Sequence, residues 1–124
     1  MDKLLINPTS TSPSVLFFLN KGVLSISGKS YLENVVEFYK TIENALDDFI
    51  ENHSHNSLLI TCEFEYMNTS SSKIFLNILK KAVDNVEKVS LVWGHEEDDE
   101  DMQELGEIFE EFLDIHVEYR LFSL

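Results

Sequence analysis

Four consecutive hydroxyl residues, Thr69 to Ser72, follow Asn68 in the segment EYMNTSSSKIFLNIL (65–79), between an alternating apolar run and a helical one. Side chains of this kind at a strand-to-helix junction can do three things. Asn68 or Thr69 can cap the helix by accepting a hydrogen bond from a backbone N–H two or three residues on, worth about 1 kcal/mol. A hydroxyl can also take a phosphoryl group, whose charge the helix dipole and the unpaired N–H groups of the first turn would tolerate. As a nucleophile, Thr69 or Ser70 would need a base within hydrogen-bond reach and a concave pocket above the helix start. A cap uses one residue, whereas Asn68 to Ser72 supplies five polar positions and no capping-box Glu. The excess points to a role besides capping.

Phosphorylation would add about −1.5 to −2 charges at neutral pH. On a chain whose formal net charge is −14 the overall field would scarcely change. A contact surface built around a neutral hydroxyl would instead acquire a local desolvation and repulsion penalty, so binding rather than net charge would be switched.

Other chemistry has little visible apparatus. The histidines are His53, His55, His95 and His116, scattered over distant segments, and Cys62 is the only cysteine. Cys62 reads as a small buried strand residue, and neither a disulfide framework nor a cysteine-rich zinc site can be built from it. The acidic run HEEDDEDMQE (95–104) lacks the alternating ligand spacing and central glycine of an EF-hand loop, and it suits a solvated helix start. Walker, dinucleotide and nucleophile-elbow motifs are absent. No cofactor and no metal are expected.

The elements that would position the junction follow from periodicity. After the polar lead NPTSTSPS, the runs 15–19 and 23–27 flank NKG as a β-hairpin, with Gly22 in the turn and Gly28 closing the second strand. Val35, Phe38, Ile42, Leu46, Phe49 and Ile50 mark a first helix, with Ser30 and Glu33 as its expected capping box. HSHN (53–56) interrupts, and Leu58, Ile60, Cys62, Phe64 and Tyr66 then form the apolar face of a strand. Thr61, Glu63 and Glu65 on its other face predict helices on one side of the sheet only.

A second helix runs from 70 to about 85 with Phe75, Leu79, Ala82 and Val86 on one stripe. Val89, Leu91 and Trp93 alternate in a strand ended by Gly94. A third helix begins inside the acidic run and buries Met102, Leu105, Ile108, Phe109, Phe112 and Leu113, and residues 116–122 form a terminal strand. The expected fold is α/β, a two-layer mixed β-sheet with helices mainly on one face, in the order β-β-α-β-α-β-α-β.

At 124 residues and 44% hydrophobic content the chain has material for one core, hence a single domain over 1–124 in which 1–13 need not be ordered. No apolar run is long enough for a membrane span or a signal peptide, and 23 acidic against 9 basic residues repel nucleic acid and anionic membranes. A soluble, cytoplasmic protein is expected, without nucleic-acid or membrane partners.

GVLSISGKSYLENVVEFY (22–39), YMNTSSSK (66–73) and the tryptophan strand VSLVWGH (89–95) together resemble the SiaC family of bacterial regulatory phosphoproteins, over roughly residues 12–122. The resemblance implies a STAS-like fold, similar to anti-sigma-factor antagonists, with reversible phosphorylation of a hydroxyl at the start of the second helix. Matching the motif puts that hydroxyl on Thr69, with Ser70 as fallback. It further implies a SiaB-like protein kinase, an opposing PP2C-type phosphatase, and an unmodified form that binds and activates a diguanylate cyclase or another regulated protein. The partner-binding set is Tyr31, Glu33, Asn34, Asn68, Thr69, Ser70 and Ser71. Leu32 and Thr41 stand where the family commonly has proline, and Ala45 where tryptophan is expected. The implied protein is a non-enzymatic signalling switch. A constitutive acidic interaction module and a small hydrolase or transferase using Thr69 or Ser70 are the alternatives.

Overall fold

The structure is a computed structural model that describes residues 1–53 and 57–123. His55 and most of the HSHN stretch lie outside the described residues. The elements are β1 (Lys3–Ile6), β2 (Ser14–Phe18), β3 (Val23–Ser30), α1 (Val35–Asn52), β4 (Ser57–Met67), α2 (Thr69–Asn85), β5 (Lys88–His95), α3 (Glu100–Leu113) and β6 (Val117–Leu121). They form one six-stranded sheet in the order β1-β2-β3-β4-β5-β6. β1, β2 and β3 pair antiparallel, and β3 through β6 pair parallel.

From residue 14 onward the elements follow the expected order. The lead holds one strand more, because Leu4 and Ile6 alternate over the core while β1 hydrogen-bonds along β2. Four residues with only two inward apolar side chains are too short a pattern to distinguish from a loop. The hairpin forms as expected, with Gly22 at φ +66°, a conformation that L side chains rarely adopt. Gly28 does not close β3. At φ +110° it introduces a register shift before Lys29, after which β3 continues to Ser30 beside Met67.

Three successive crossovers, β3-α1-β4, β4-α2-β5 and β5-α3-β6, link neighbouring parallel strands and never reverse direction across the sheet. With a constant hand, such crossovers leave all three helices on one face. The result is the two-layer mixed architecture that the polar half of β4 predicts. The core lies between the layers: Leu58, Ile60, Cys62 and Phe64 of β4, Leu24 and Ile26 of β3, and Leu91 and Trp93 of β5 face Tyr39, Phe49, Phe75, Leu79 and Phe109. Phe75 is in ring contact with Tyr39, Phe64 and Phe109, so one α2 residue joins all three helices to the sheet.

α3 corrects one expectation. Met102, Gly106, Phe109 and Leu113 form its buried stripe, whereas Ile108 and Phe112 are 57% and 56% exposed. The stripe turns on Gly106, where an added Cβ would come within 2.5 Å of the Trp93 ring. The helix therefore lies close against the indole, and Trp93 Nε1 donates to Met102 O at 2.9 Å. Close approach at this glycine sets the rotation of the helix, with Phe109 turned inward and Ile108 and Phe112 outward. No helix among the described residues is long and apolar enough to cross a membrane.

Candidate functional site

The parallel register of β3 on β4 places Ser30 beside Met67. Both strands end there, so the segment 31–34 leading into α1 and the segment 68–72 opening α2 emerge side by side at one edge of the sheet. Asn68 N–H donates to Ser30 O at 2.9 Å, which fixes the two turns against each other. The SYLEN and NTSSS segments, some 35 residues apart in sequence, thus form one surface. Tyr31 and Tyr66 flank it in an edge-to-face contact with centroids 5.7 Å apart. Both rings are substantially exposed.

α2 is capped by Asn68. Its backbone is extended, its Oδ1 accepts from Ser71 N–H at 2.9 Å, and its carbonyl accepts from Ser72 N–H. Thr69 and Ser70 are exposed, and Thr69 Oγ1 has no hydrogen-bond partner among the described residues. The first turn contains no acidic residue. Ser72 Oγ turns back to donate to Thr69 O at 2.9 Å. The five polar residues therefore divide their tasks. Asn68 caps, Ser72 closes on the backbone, and Thr69 and Ser70 present free hydroxyls to solvent.

Ser71 is fully buried, in contrast to its place among the expected contact residues. Its Oγ accepts from Ser30 Oγ at 2.9 Å, and Ser30 Oγ in turn lies 2.7 Å from Tyr39 Oη. This chain of three hydroxyls links the end of β3, the second turn of α1 and the first turn of α2 beneath the exposed surface. Each unmade hydrogen bond at such depth costs about 1–3 kcal/mol, which makes the chain selective for one arrangement of the three elements. Burial raises the Tyr39 phenol well above its ordinary value, against the opposing effect of the Ser30 hydrogen bond.

The hydroxyl chain also replaces the expected capping box. Ser30 is the last residue of β3 and its Oγ is consumed by Tyr39 and Ser71, so it caps nothing. Helix α1 starts later, after Asn34, which makes no side-chain cap and instead donates from Nδ2 to Glu37 Oε2 at 3.0 Å. Glu33 and Asn34 are exposed beside Tyr31. Tyr39 escapes the periodicity argument only because Phe38 competes for the stripe; the run 35, 39, 42, 46, 49 is the better helical face and contains it.

The acidic run starts α3 nearby. Asp99 is its N-cap, accepting at Oδ1 from Met102 N–H at 3.0 Å, with Glu100 and Asp101 in the first turn. Asp99 and Asp101 line a small cleft of about 180 Å³ with Glu65, Tyr66 and Met67. Among the described residues no group of three or more His, Cys, Asp or Glu is arranged to hold a metal. Nor does any basic side chain there hydrogen-bond the hydroxyl of Thr69 or Ser70.

A neutral, exposed hydroxyl at a helix start, mounted on a mixed sheet with helices on one face, is the layout of a STAS-like regulatory domain. Residues 6–121 match the model of the SiaC family regulatory phosphoproteins, and the chain belongs to that family. An uncharacterized protein of Pseudomonas aeruginosa strain UCBPP-PA14 is 31% identical over 114 residues, covering 90% of each chain. The structure of SiaC of Pseudomonas aeruginosa superimposes with a TM-score of 0.85 at 26% identity, over 98% of this chain and 100% of that one. A chain in the crystal structure of the diguanylate cyclase SiaD in complex with its activator SiaC, also from Pseudomonas aeruginosa, matches at a TM-score of 0.85 and 28% identity, over 96% and 99%. Membership of this family makes the chain a regulatory, non-catalytic signalling protein.

Proposed function

We propose that Thr69 is the residue reversibly phosphorylated in this protein, and that its unmodified form docks a diguanylate cyclase through the surface around Tyr31, Glu33, Asn34, Asn68, Thr69 and Ser70. The observation that carries this is the pairing of Ser30 with Met67, which joins two distant segments around a neutral, unpartnered hydroxyl. The complex of SiaD with its activator SiaC supports a cyclase as the class of partner. A phosphate on Thr69 would sit in solvent above the first-turn N–H groups, leaving the fold intact while placing about −1.5 to −2 charges inside the docking surface. A SiaB-like kinase adds the group and a PP2C-type phosphatase removes it, in the cytoplasm.

Phosphopeptide mapping after co-expression with the cognate kinase is expected to recover the modified peptide containing Thr69. Ser70, equally exposed, is the fallback acceptor. Modification confined to any other segment would sink the site assignment.

A further inference from the structure

Over the middle of β1 to β4 the sheet face opposite the helices is uncovered, whereas at β5 Val92 and Gly94 are buried and Phe122 lies against Gly94. Across the middle of the sheet it presents Leu5, Leu16, Ser25, Leu59 and Thr61, which the strand registers place in adjoining rows. None of these is charged, and the registers put the nearest charges at the margins, Lys3 opposite Phe18 on β1 and Glu118 beside Val92 on β6. Leu5, Leu16 and Leu59 are 52%, 41% and 39% exposed, and Phe18 at the lower margin is 36% exposed. Charge depletion around large apolar side chains marks the core of a protein interface, and an apolar patch of this kind is seldom left to solvent.

Cations and anions lie at opposite ends of this face. Lys21, its ammonium 5.8 Å from the Phe18 ring centroid, and Lys88, paired in register with Ser57, are at the end where β4 begins. Glu63 and Glu65 are at the end where β4 finishes. Neither Lys21 nor Lys88 forms an ion pair with another described residue, and Arg120 is already neutralised by Glu118 at 2.9 Å. Glu63 is six residues along β4 from Ser57, so the midpoint between the charged ends falls at Ile60, between the outward-facing Leu59 and Thr61.

We propose that this face binds a second copy of the chain. The two-fold axis lies in the plane of the interface, across the strands at the level of Ile60, so that the two sheets stack with antiparallel strands. That operation sets Lys88 of one protomer beside Glu63 of its partner, and repeats the pairing at the other end; a parallel stack would oppose like charges. An isologous contact needs a self-complementary surface, and a patch that is positive at one end, neutral in the middle and negative at the other provides one. Face-to-face sheets pack about 10 Å apart with strands within about 30° of alignment. The acidic helices then lie on the two outer faces, held apart by both sheets and each open to solvent, whose ions gather around their carboxylates. Distance and that counterion layer weaken their mutual repulsion. The two Thr69 surfaces are carried at opposite ends of the assembly and stay exposed, so the proposal is independent of the phosphorylation site.

Sedimentation velocity of the full chain across the micromolar range, at salt of about 0.15 M, tests it. The wild-type chain is expected to sediment as a dimer of twice 14.3 kDa. Leu59→Glu and, separately, Leu16→Glu are expected to weaken association at least about tenfold, with circular dichroism confirming the fold. A monomer at every concentration overturns the proposal and leaves the face to a different partner; a dimer indifferent to both substitutions overturns the choice of face. Lys88→Glu alone and Glu63→Lys alone are each expected to weaken the dimer, and the double exchange, which keeps the net charge at −14, to restore it. Strengthening by Glu63→Lys, the result of net-charge repulsion alone, or failure of the double exchange to restore association, overturns the antiparallel arrangement.

Discussion

Two helix starts at the same edge of the sheet share a backbone design and differ in charge. α2 and α3 both follow a parallel strand, and both are capped by an Asx side chain that accepts from the third helical N–H, Asn68 from Ser71 and Asp99 from Met102. The first turn of α3 already carries Glu100 and Asp101, while that of α2 carries no acid. A helix N-terminus rewards negative charge with about 0.3–1 kcal/mol, and α3 takes that reward permanently. At α2 the same place is kept neutral and lined with hydroxyls. One more charge beside the three carboxylates of Asp99, Glu100 and Asp101 is a small perturbation, but a first charge on a neutral, partly apolar surface changes what can dock there.

The charge difference between the two helix starts has its largest consequence at Thr69. Thr69→Asp is expected to lower affinity for the proposed cyclase partner about 100-fold, equivalent to about 2.7 kcal/mol, because the interface must bury an unpaired carboxylate. Thr69→Ala is expected to stay within a few-fold of wild type. Glu100→Gln, which changes charge at the α3 start, is expected to leave affinity nearly unaltered. Isothermal titration of the three variants decides the matter, and equal binding by the Thr69 variants would reject a charge switch.

A smaller effect concerns what lies beneath the α2 start. Ser71→Ala removes the acceptor of the Ser30 hydroxyl and is expected to cost about 1–3 kcal/mol in chemical denaturation. Tyr39→Phe removes the other end of the chain and should also lessen alkaline destabilisation. Because burial raises the Tyr39 pKa above its unfolded value, the native state holds that proton more tightly, and stability is lost as pH climbs above about 10. A wild-type and a Tyr39→Phe protein with identical stability profiles between pH 9 and the alkaline transition, taken as roughly pH 9 to 11, would rule out this contribution.

The two caps share one geometry and differ in charge. Asn68→Ala and Asp99→Ala are each expected to cost about 1 kcal/mol. Only the Asp99 contribution should shrink with added salt, since only that cap is charged. Salt titration of the two melting temperatures reads the difference, and parallel salt dependence would contradict it.

The smallest expected effect sits at the far end of α3. The Glu110 carboxylate accepts from Val117 N–H and Tyr119 Oη, both at 2.9 Å, and these hydrogen bonds hold its pKa below the usual carboxylate value. A depressed native pKa gives stability that is present above the unfolded value of about 4.3 and lost as pH falls through the native one. Glu110→Gln, which keeps an acceptor but no proton affinity, should therefore flatten the acid limb of the stability curve. An unchanged acid limb would show that the link is not used.

Much of this organisation could be read from residue order. Alternation in 58–67 and helical spacing in 69–85 are strong local patterns, and they located the junction and its cap within a residue. Other features depend on contacts that no periodicity reports. β1 has two inward residues, too few to register as a pattern. Gly106 reads as a weak helix position until Trp93 is seen against it. Ser30 fits a capping box in one dimension, yet β3 bridges a bulge and carries it into the sheet.

By itself, then, the sequence determined the two-layer fold, the polar C-terminal half of the outer face of β4 and the position of a hydroxyl-rich helix start, because these rest on hydrophobic period and on residue types at element ends. Only the tertiary structure decided which hydroxyls are free. Thr69, Ser70 and Ser71 are adjacent and chemically alike, but a helix turns by about 100° per residue, so the third points inward to Ser30 while the first two face solvent. The neighbour that turns this start into a surface, the Tyr31 segment, arrives through the pairing of β3 with β4, which is a long-range register and not a local preference.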